Sequence, residues 1–511
     1  MFKFDSTIVD QLIAYTPRDM VPGDSDIWLY IDLFDNVDLD NFYARYSRQG
    51  QDSVDCRLML RTLFYGLTHG ISSGRKLAGS CRFDNRYMVL SGGYAPHFRT
   101  FHRFFVRHEK DIEELFVTIV KLAQEMKLVS LGRIAIDGSR IKANASKKGM
   151  IRYNKLDDAA IAIREQISAL KEQLVKENHE KENDLETLEK EVLDKERRLE
   201  RIKAAKDRLD KEYKDEKRKS ETRVALNDTD ARFMGKDGSA GNYSIGYNCQ
   251  TSVDSDNQII VAAEIHDSPQ DAPALIPMIS KTIENCGDSP KQVLADKGYC
   301  TSENIIEAKP YCESLYIGMT NRKGEVPTIR YEHILKGENN TYVCMAGKPL
   351  RIGAGSRPHN VSILPDKDRC IGCPLTSSCL LYERRAKQTQ ILDMDHGQAL
   401  ADMALRNRTE EFQEVYKKRK AIVEPVFGNI KWNKILRLFV TGRRKASAWW
   451  KMVCTAHNIE KLIKNMQRIA DGAAGPSGQS LNCLENASNC LKNVRYQLQL
   501  RINSKNFQFF A

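Results

Sequence analysis

A chain of 511 residues carrying a formal charge of +11 is too long for one ordinary hydrophobic core, and predicts about three or four domains or a large domain with insertions. The N-terminus lacks a basic region followed by an apolar one, and no run of about 18 apolar residues occurs, which argues against export and membrane spanning and for a soluble, cytoplasmic protein. Thirteen cysteines scattered through such a chain argue against a disulfide framework and leave metal binding or reduced thiols.

Residues 1–128 read as a helical domain. Apolar residues recur at helical spacing across residues 54–67 and again across 111–123. Glycines break the segments between them. In the segment from His97 to His108, Phe98, Phe101, Phe105 and Val106 can face a core while Arg99, His102, Arg103 and Arg107 face outward. Short helices ending in a cationic one suit a helix-turn-helix DNA reader, and equally an ordinary helical domain.

From Ser130 the pattern changes to strands. The segment Leu131-Gly-Arg-Ile-Ala-Ile-Asp137 has a nearly continuous apolar centre, as in strands covered on both faces. A hairpin is predicted over residues 246–266, then a helix from Asp271, the buried strand Gln292-Val-Leu-Ala-Asp296, a helix near Ser302 and a strand from Ser314.

Two insertions interrupt this sheet. Residues 155–222 are highly charged, with apolar positions at Ile163, Ile167, Leu170 and Leu174 and then at Leu185, Leu188, Val192, Leu199, Ile202, Leu209 and Tyr213. The second set keeps a 3,4 spacing, with Lys195 and Lys206 at the skipped core positions. An antiparallel coiled-coil hairpin is expected, because it returns the chain to the sheet it left. Residues 321–395 hold Cys344, Cys370, Cys373 and Cys379, which could supply a tetrahedral structural Zn2+ or remain reduced thiols. After the second insertion the core is expected to resume over 396–465, leaving 466–511 as a tail in which Cys483 and Cys490 read as plain thiols.

Between Lys431 and Ala470 the sequence has many Lys and Arg against one acid, Glu460, with Trp432, Trp449 and Trp450 interleaved. A basic stripe of this kind fits a phosphate-backbone partner. Within Arg419-Lys-Ala-Ile-Val-Glu424-Pro-Val-Phe-Gly-Asn-Ile-Lys431 a single acid sits in an apolar setting, where a carboxylate is costly unless paired or metal-bound. Asp137 and Asp296 each end an apolar strand and closely precede a glycine. Three such carboxylates could converge on Mg2+ or Mn2+, or each could simply pair with Arg140, Lys297 or Lys420.

The blocks Ala135-Ile-Asp137-Gly-Ser139, Leu294-Ala-Asp296-Lys-Gly-Tyr299 and Ile422-Val-Glu424-Pro-Val-Phe-Gly-Asn-Ile-Lys431, in this order, resemble the DDE transposases of bacterial insertion sequences. The resemblance covers roughly residues 40–460, within the broad IS4/IS5 group and most closely the IS1182-like branch. It implies an α/β, multidomain chain: an RNase H-like catalytic core over 129–320 and 396–465, preceded by a helical DNA-binding domain. In that core Asp137, Asp296 and Glu424 would bind two divalent ions (Mg2+ or Mn2+). Relatives carry a Tyr-x2-Arg-x3-Glu-x6-Lys signature whose cations hold DNA phosphate, matched here by Tyr416, Arg419, Glu424 and Lys431 except for one extra residue between Arg419 and Glu424. At about 100° per residue, Lys420 and Lys431 fall within about 40° of the Glu424 face and Arg419 lies well to the side, so Lys420 is expected to take the arginine's role. Pro425 is expected to kink this helix or to start a new one.

The expected activity is cleavage at the terminal inverted repeats of an element followed by transfer to target double-stranded DNA, by a homodimer in a synaptic complex associated with the nucleoid. A metal-dependent RNase H-like nuclease, or a non-catalytic DNA-binding protein derived from a transposase, would use parts of the same sequence.

Overall fold

The computed structural model describes residues 16–46, 53–145, 150–176, 182–212, 215–235, 243–319, 334–336, 341–377, 379, 382, 387–432, 438 and 440–473. Tyr213, Cys483, Cys490 and the side chains of Leu185 and Trp432 lie outside the described residues.

The chain opens with helices α1 (Ile27–Asn36), α2 (Asp40–Tyr43), α3 (Cys56–Thr68), α4 (Gly74–Phe83), α5 (Asn85–Leu90), α6 (Phe98–Arg107) and α7 (Glu109–Glu125). Side-chain caps set several starts: Asp55 accepts from the Arg57 N–H, Asp84 from the Arg86 N–H and His97 from the Arg99 N–H. On α6 the segregation is as the sequence predicts, with Phe101 and Phe105 buried and Arg99, His102, Arg103 and Arg107 exposed; Phe104 is buried as well.

Strand β1 (Arg133–Lys142) is the centre of a sheet that has six strands among the described residues. After β2 (Met150–Arg152) come helices α8 (Leu156–Lys176), α9 (Glu182–Glu212) and α10 (Glu216–Glu221), then β3 (Arg223–Ala225). The sheet resumes with β4 (Arg232–Gly235), β5 (Tyr243–Asp254) and β6 (Ile260–His266), followed by α11 (Leu275–Cys286), β7 (Gln292–Ala295), α12 (Ser302–Glu307) and β8 (Ser314–Ile317). Strand β1 pairs antiparallel with β5 and parallel with β7; β6 pairs antiparallel with β5, and β8 parallel with β7. Parallel pairing needs a crossover, and α11 and α12 supply helices for the two connections into β7 and β8.

Short strands β9 (Ile334–Lys336), β10 (Tyr342–Cys344), β11 (Ile352–Ala354), β12 (Asn360–Ile363) and β13 (Thr389–Leu392) follow, then α13 (Met394–Arg406), α14 (Glu410–Trp432) and α15 (Arg443–Ala473). Helix α15 packs along α7, β6 and α3. Its Asn458 side chain donates to the Ile260 carbonyl and accepts from the Ile260 N–H, both at 2.8 Å, which satisfies backbone groups of β6.

One hydrophobic core runs from Val21 in the N-terminal helices through the sheet to Met466 in α15. The break expected near residue 128 is therefore a change of secondary structure and not a gap in packing. Helices α8 and α9 pack on each other around a separate small core that includes Ile163, Ile167, Val192, Ile202 and Leu209. They run antiparallel, since Lys171 reaches Glu196 at 2.7 Å while Lys206 reaches Asp157 at 2.6 Å. Lys206 does not occupy a core position: Ala205 is buried in its place, and the lysine extends along the rim to a carboxylate.

Trp449 and Trp450 correct a second expectation. Both are buried; Trp450 Nε1 donates to the Gln250 carbonyl at 3.1 Å, and Trp449 meets Phe105 edge-on at 5.8 Å. They lie on the inner face of α15, so they hold the fold together and do not present rings to nucleic acid. Several cations of the same stretch are tied to the protein: Lys451 lies 2.9 Å from Glu264 and 3.3 Å from Glu113, and Arg444 lies 2.8 Å from Glu109. Among the described residues, no helix is long and apolar enough to cross a membrane.

Candidate active site

Asp137 lies in β1 and Asp296 immediately follows β7. The last register pair of these parallel strands is Ile136 with Ala295, so the two acids occupy the next, adjacent positions. Each carboxylate accepts from the N–H of the next residue, Asp137 from Gly138 at 2.9 Å and Asp296 from Lys297 at 2.7 Å. Arg419 of α14 bridges them: its Nη1 donates to Asp137 Oδ2 at 2.9 Å and its Nη2 lies 3.9 Å from Asp296 Oδ1. Among the described residues, Arg419 is a partner common to both acids.

Burial raises the Asp137 pKa, and the neighbouring Arg419 charge opposes that rise. For Arg419 burial works against the charge, yet Asp137 and Asp296 overcome it and hold the guanidinium above its ordinary range. One turn earlier, Tyr416 is half-buried with its hydroxyl against Gly318, just beyond β8, and burial raises its pKa.

The expected rotation of this helix is wrong, and the apolar stripe shows why. Phe412, Tyr416, Arg419, Val423, Val426 and Ile430 follow 4,3 spacing, and all are buried or half-buried. This stripe turns α14 so that Arg419 faces the sheet and Lys420 faces solvent. Glu424 lies five residues beyond Arg419, about 140° around the helix, and is exposed, as is Lys431. Helix α14 runs without interruption through Pro425, so no new helix starts there. The structure brings Asp137, Asp296, Arg419 and Tyr416 together. Glu424 does not close with the two aspartates, for the set of metal-capable groups that meets within 4.8 Å among the described residues is His359, Asp393 and His396.

A polar cluster beside the acids escapes the sequence reading. Asp271 Oδ1 accepts from Asn248 Nδ2 at 3.0 Å and from Gln250 Nε2 at 2.9 Å, and the Tyr299 hydroxyl donates to Gln250 Oε1. A Cβ added at Gly138 would meet Asp271 Oδ1 at 3.0 Å, and one at Gly298 would meet Asp271 Oδ2 at 3.6 Å. Asp271 therefore lies beside Gly138 and Gly298, which follow the two acids. The available signal was the polar pair Asn248 and Gln250 at alternate positions of the first hairpin strand.

The His359, Asp393 and His396 group was also missed. Pairing of Asn360 with Leu392 in β12 and β13 sets His359 opposite Asp393. The Asp393 carboxylate lies 2.7 Å from His396 Nδ1 and 3.3 Å from His359 Nδ1, and it caps α13 by accepting from the His396 N–H. These contacts outweigh burial and lower the Asp393 pKa.

Fold and site define a mixed α/β protein with one carboxylate within β1 and a second just after the adjacent parallel strand β7. Residues 343–463 match the family model described as a transposase DDE domain, and residues 17–107 match that of a transposase domain, DUF772. These matches support a DDE transposase, and the DDE-domain match supports an enzyme that cleaves and transfers DNA strands. Such a domain implies dependence on divalent metal. No curated protein sequence matches the chain. A cryo-EM structure of a piggyBac transposase synaptic complex with hairpin DNA aligns over 93% of this chain and 79% of that one, at 9% identity and a TM-score of 0.32. That likeness is too low to bear on the fold.

Proposed function

We propose that the chain is a DDE transposase of an insertion sequence, related to the IS1182-like branch, which cleaves DNA at the ends of its element and joins the freed 3′-OH to target DNA. The observation that carries this reading is the pair Asp137 and Asp296, side by side on parallel strands and balanced by one guanidinium. The strand order β6-β5-β1-β7-β8, antiparallel in its first half and parallel in its second, supports an RNase H-like core.

The donor set tests whether divalent ions fit. Two carboxylates on adjacent strands offer hard oxygen ligands that suit Mg2+ or Mn2+, and their shared Arg419 marks a place where positive charge is accommodated. Asp137 and Asp296 fit and would hold the ions. Glu424 remains the third acid of this reading, and it joins them only if α14 rotates or shifts relative to β1. Bound ions supply an activated water or 3′-hydroxyl and stabilise the leaving oxygen.

The protein's own groups orient this chemistry. Asp271 packs beside Gly138 and Gly298, which follow the two acids, and fixes their spacing. Arg419 favours the charged form of Asp137 against its burial and reaches towards Asp296 as well. Exposed Lys420 and Lys431 on α14, with Arg99, His102 and Arg103 on α6, offer cations to DNA backbone. Double-stranded DNA, as the element ends and the target, is the partner, and a homodimer would pair two ends. Cleavage and joining of a duplex carrying an element end, with Mg2+ and with Asp137→Asn and Asp296→Asn variants, tests the reading.

A further inference from the structure

Among its described residues, the segment around β9 to β13 has only a small core. Among the described residues its buried apolar side chains are Ile334, Leu350, Ile363 and Ile391. A unit with so little core usually needs a cross-link or a metal to hold its shape.

Cys344, Cys370, Cys373 and Cys379 line a single cavity of about 20 Å³, room for one water-sized sphere. Cys344, Cys370 and Cys379 each start a tight turn, and Cys373 closes the second of them. Gly347 N–H donates to the Cys344 carbonyl at 2.8 Å, Cys373 N–H to the Cys370 carbonyl at 3.2 Å, and Tyr382 N–H to the Cys379 carbonyl at 3.1 Å. Gly347 and Gly372 take positive φ values of 72° and 67°, which lets the first two turns fold back on their thiols. Lys348 stitches those turns together, its Nζ donating to the Arg369 carbonyl at 2.8 Å and lying 3.3 Å from that of Ile371.

An independent observation concerns charge. Arg369 also lines the cavity, and its Nη1 is buried with no hydrogen-bond acceptor among the described residues. A buried guanidinium N–H without an acceptor is costly. Four thiolates around a dication carry a net negative charge, and they offer sulfur acceptors where that N–H lies.

We propose that Cys344, Cys370, Cys373 and Cys379 bind one structural Zn2+, with Arg369 and Lys348 balancing the charge of the tetrathiolate site. Zinc–sulfur bonds of about 2.3 Å place the sulfurs roughly 3.8 Å apart. In the structure no three of them approach within 4.8 Å among the described residues, so the turns close inward when the ion enters. The site cross-links β10 to the loop before β13 and supplements that small core. It is separate from the Asp137 and Asp296 pair.

The test uses the full chain, purified under reducing conditions without chelator, with metal content measured by plasma mass spectrometry. One zinc per chain is expected, released when a mercurial reagent blocks the thiols. Zinc content of a Cys370→Ser/Cys373→Ser variant falls about tenfold or more, whereas Asp393→Asn, which alters the nearby histidine group, leaves it unchanged. Should the double variant fail to fold, Co2+ in the unaltered chain decides, because four thiolates give sulfur-to-metal charge-transfer bands and intense tetrahedral d–d bands. Failure to take up zinc under reducing conditions, zinc retained by the folded double variant, or a cobalt spectrum without sulfur bands would overturn the assignment.

Discussion

Arg419 donates to Asp137 at 2.9 Å from a helix that begins more than 270 positions later in the chain, and its other nitrogen lies 3.9 Å from Asp296. One guanidinium therefore stands where divalent cations are proposed to act, and the arginine and the metal compete for the same oxygens.

That competition is measurable. Arg419→Gln leaves Asp137 and Asp296 repelling each other. Without divalent ions it should cost about 1–3 kcal/mol, less than breaking a fully buried pair because the Asp296 side chain remains 42% exposed. Mg2+ should then raise the melting temperature of the variant more than that of the unaltered chain. Equal Mg2+ responses in thermal unfolding would show that arginine and metal do not share the carboxylates.

Gly138→Ala probes the strand position after Asp137. Its new Cβ would run into Gln250 Nε2 and would also lie 3.0 Å from Asp271 Oδ1 and 3.2 Å from Asn248 Oδ1, so β1 or the polar cluster must move. A displacement of about 1 Å at a reacting group can cost on the order of a hundredfold in rate. Cleavage should fall by about that factor while the melting temperature changes by a few degrees; an unchanged rate would show that Asp271 does not set the position of Asp137.

His457 supplies a pH signature. Burial lowers its pKa to about 4, while its Nε2 lies 2.9 Å from the Gln258 carbonyl and its Nδ1 3.1 Å from Asn429, the pattern of a neutral ring. Because the folded value lies below the unfolded one near 6.5, this contribution is present in full above pH 6.5 and is lost as pH falls towards 4. The full effect is about 3 kcal/mol. Stability measured between pH 7 and 4.5 should decline less steeply in His457→Gln than in the unaltered chain, and identical slopes would contradict the assignment.

Ile202 is 1% exposed in the core between α8 and α9. Its replacement by alanine should destabilise that pair by about 2–4 kcal/mol. Hydrogen exchange should rise over α8 and α9 and stay unchanged in β1 and β7, because the two cores are separate. Uniform loss of protection across the chain would show that they unfold together.

Asp137 and Asp296 are legible in the sequence because each follows a continuous apolar run and closely precedes a glycine, a local pattern, although β1 continues past Asp137 to Lys142. The helices of residues 27–125, the hairpin strands β5 and β6, and the outward cations of α6 are legible for the same reason. The rotation of α14 was missed because that helix was fixed on Glu424, when the stripe from Phe412 to Ile430 decides which side packs. Trp449 and Trp450 misled through composition: aromatics among cations suit nucleic acid, but one face of α15 is wholly internal. Asp271, Asn248 and Gln250 were out of reach because their meeting depends on strand register, and the pairing of His359 with Asp393 depends on the ladder between β12 and β13.

The central claim is that Asp137 and Asp296 hold the divalent ions of a strand-cleaving and strand-joining site. The direct measurement is Mg2+-dependent cleavage and joining of a duplex carrying the element's own end, with binding of the same duplex measured in parallel. The account predicts cleaved and joined products from the unaltered chain. It predicts a loss of about a thousandfold or more in Asp137→Asn and Asp296→Asn with binding retained. Undiminished cleavage in either variant would contradict it.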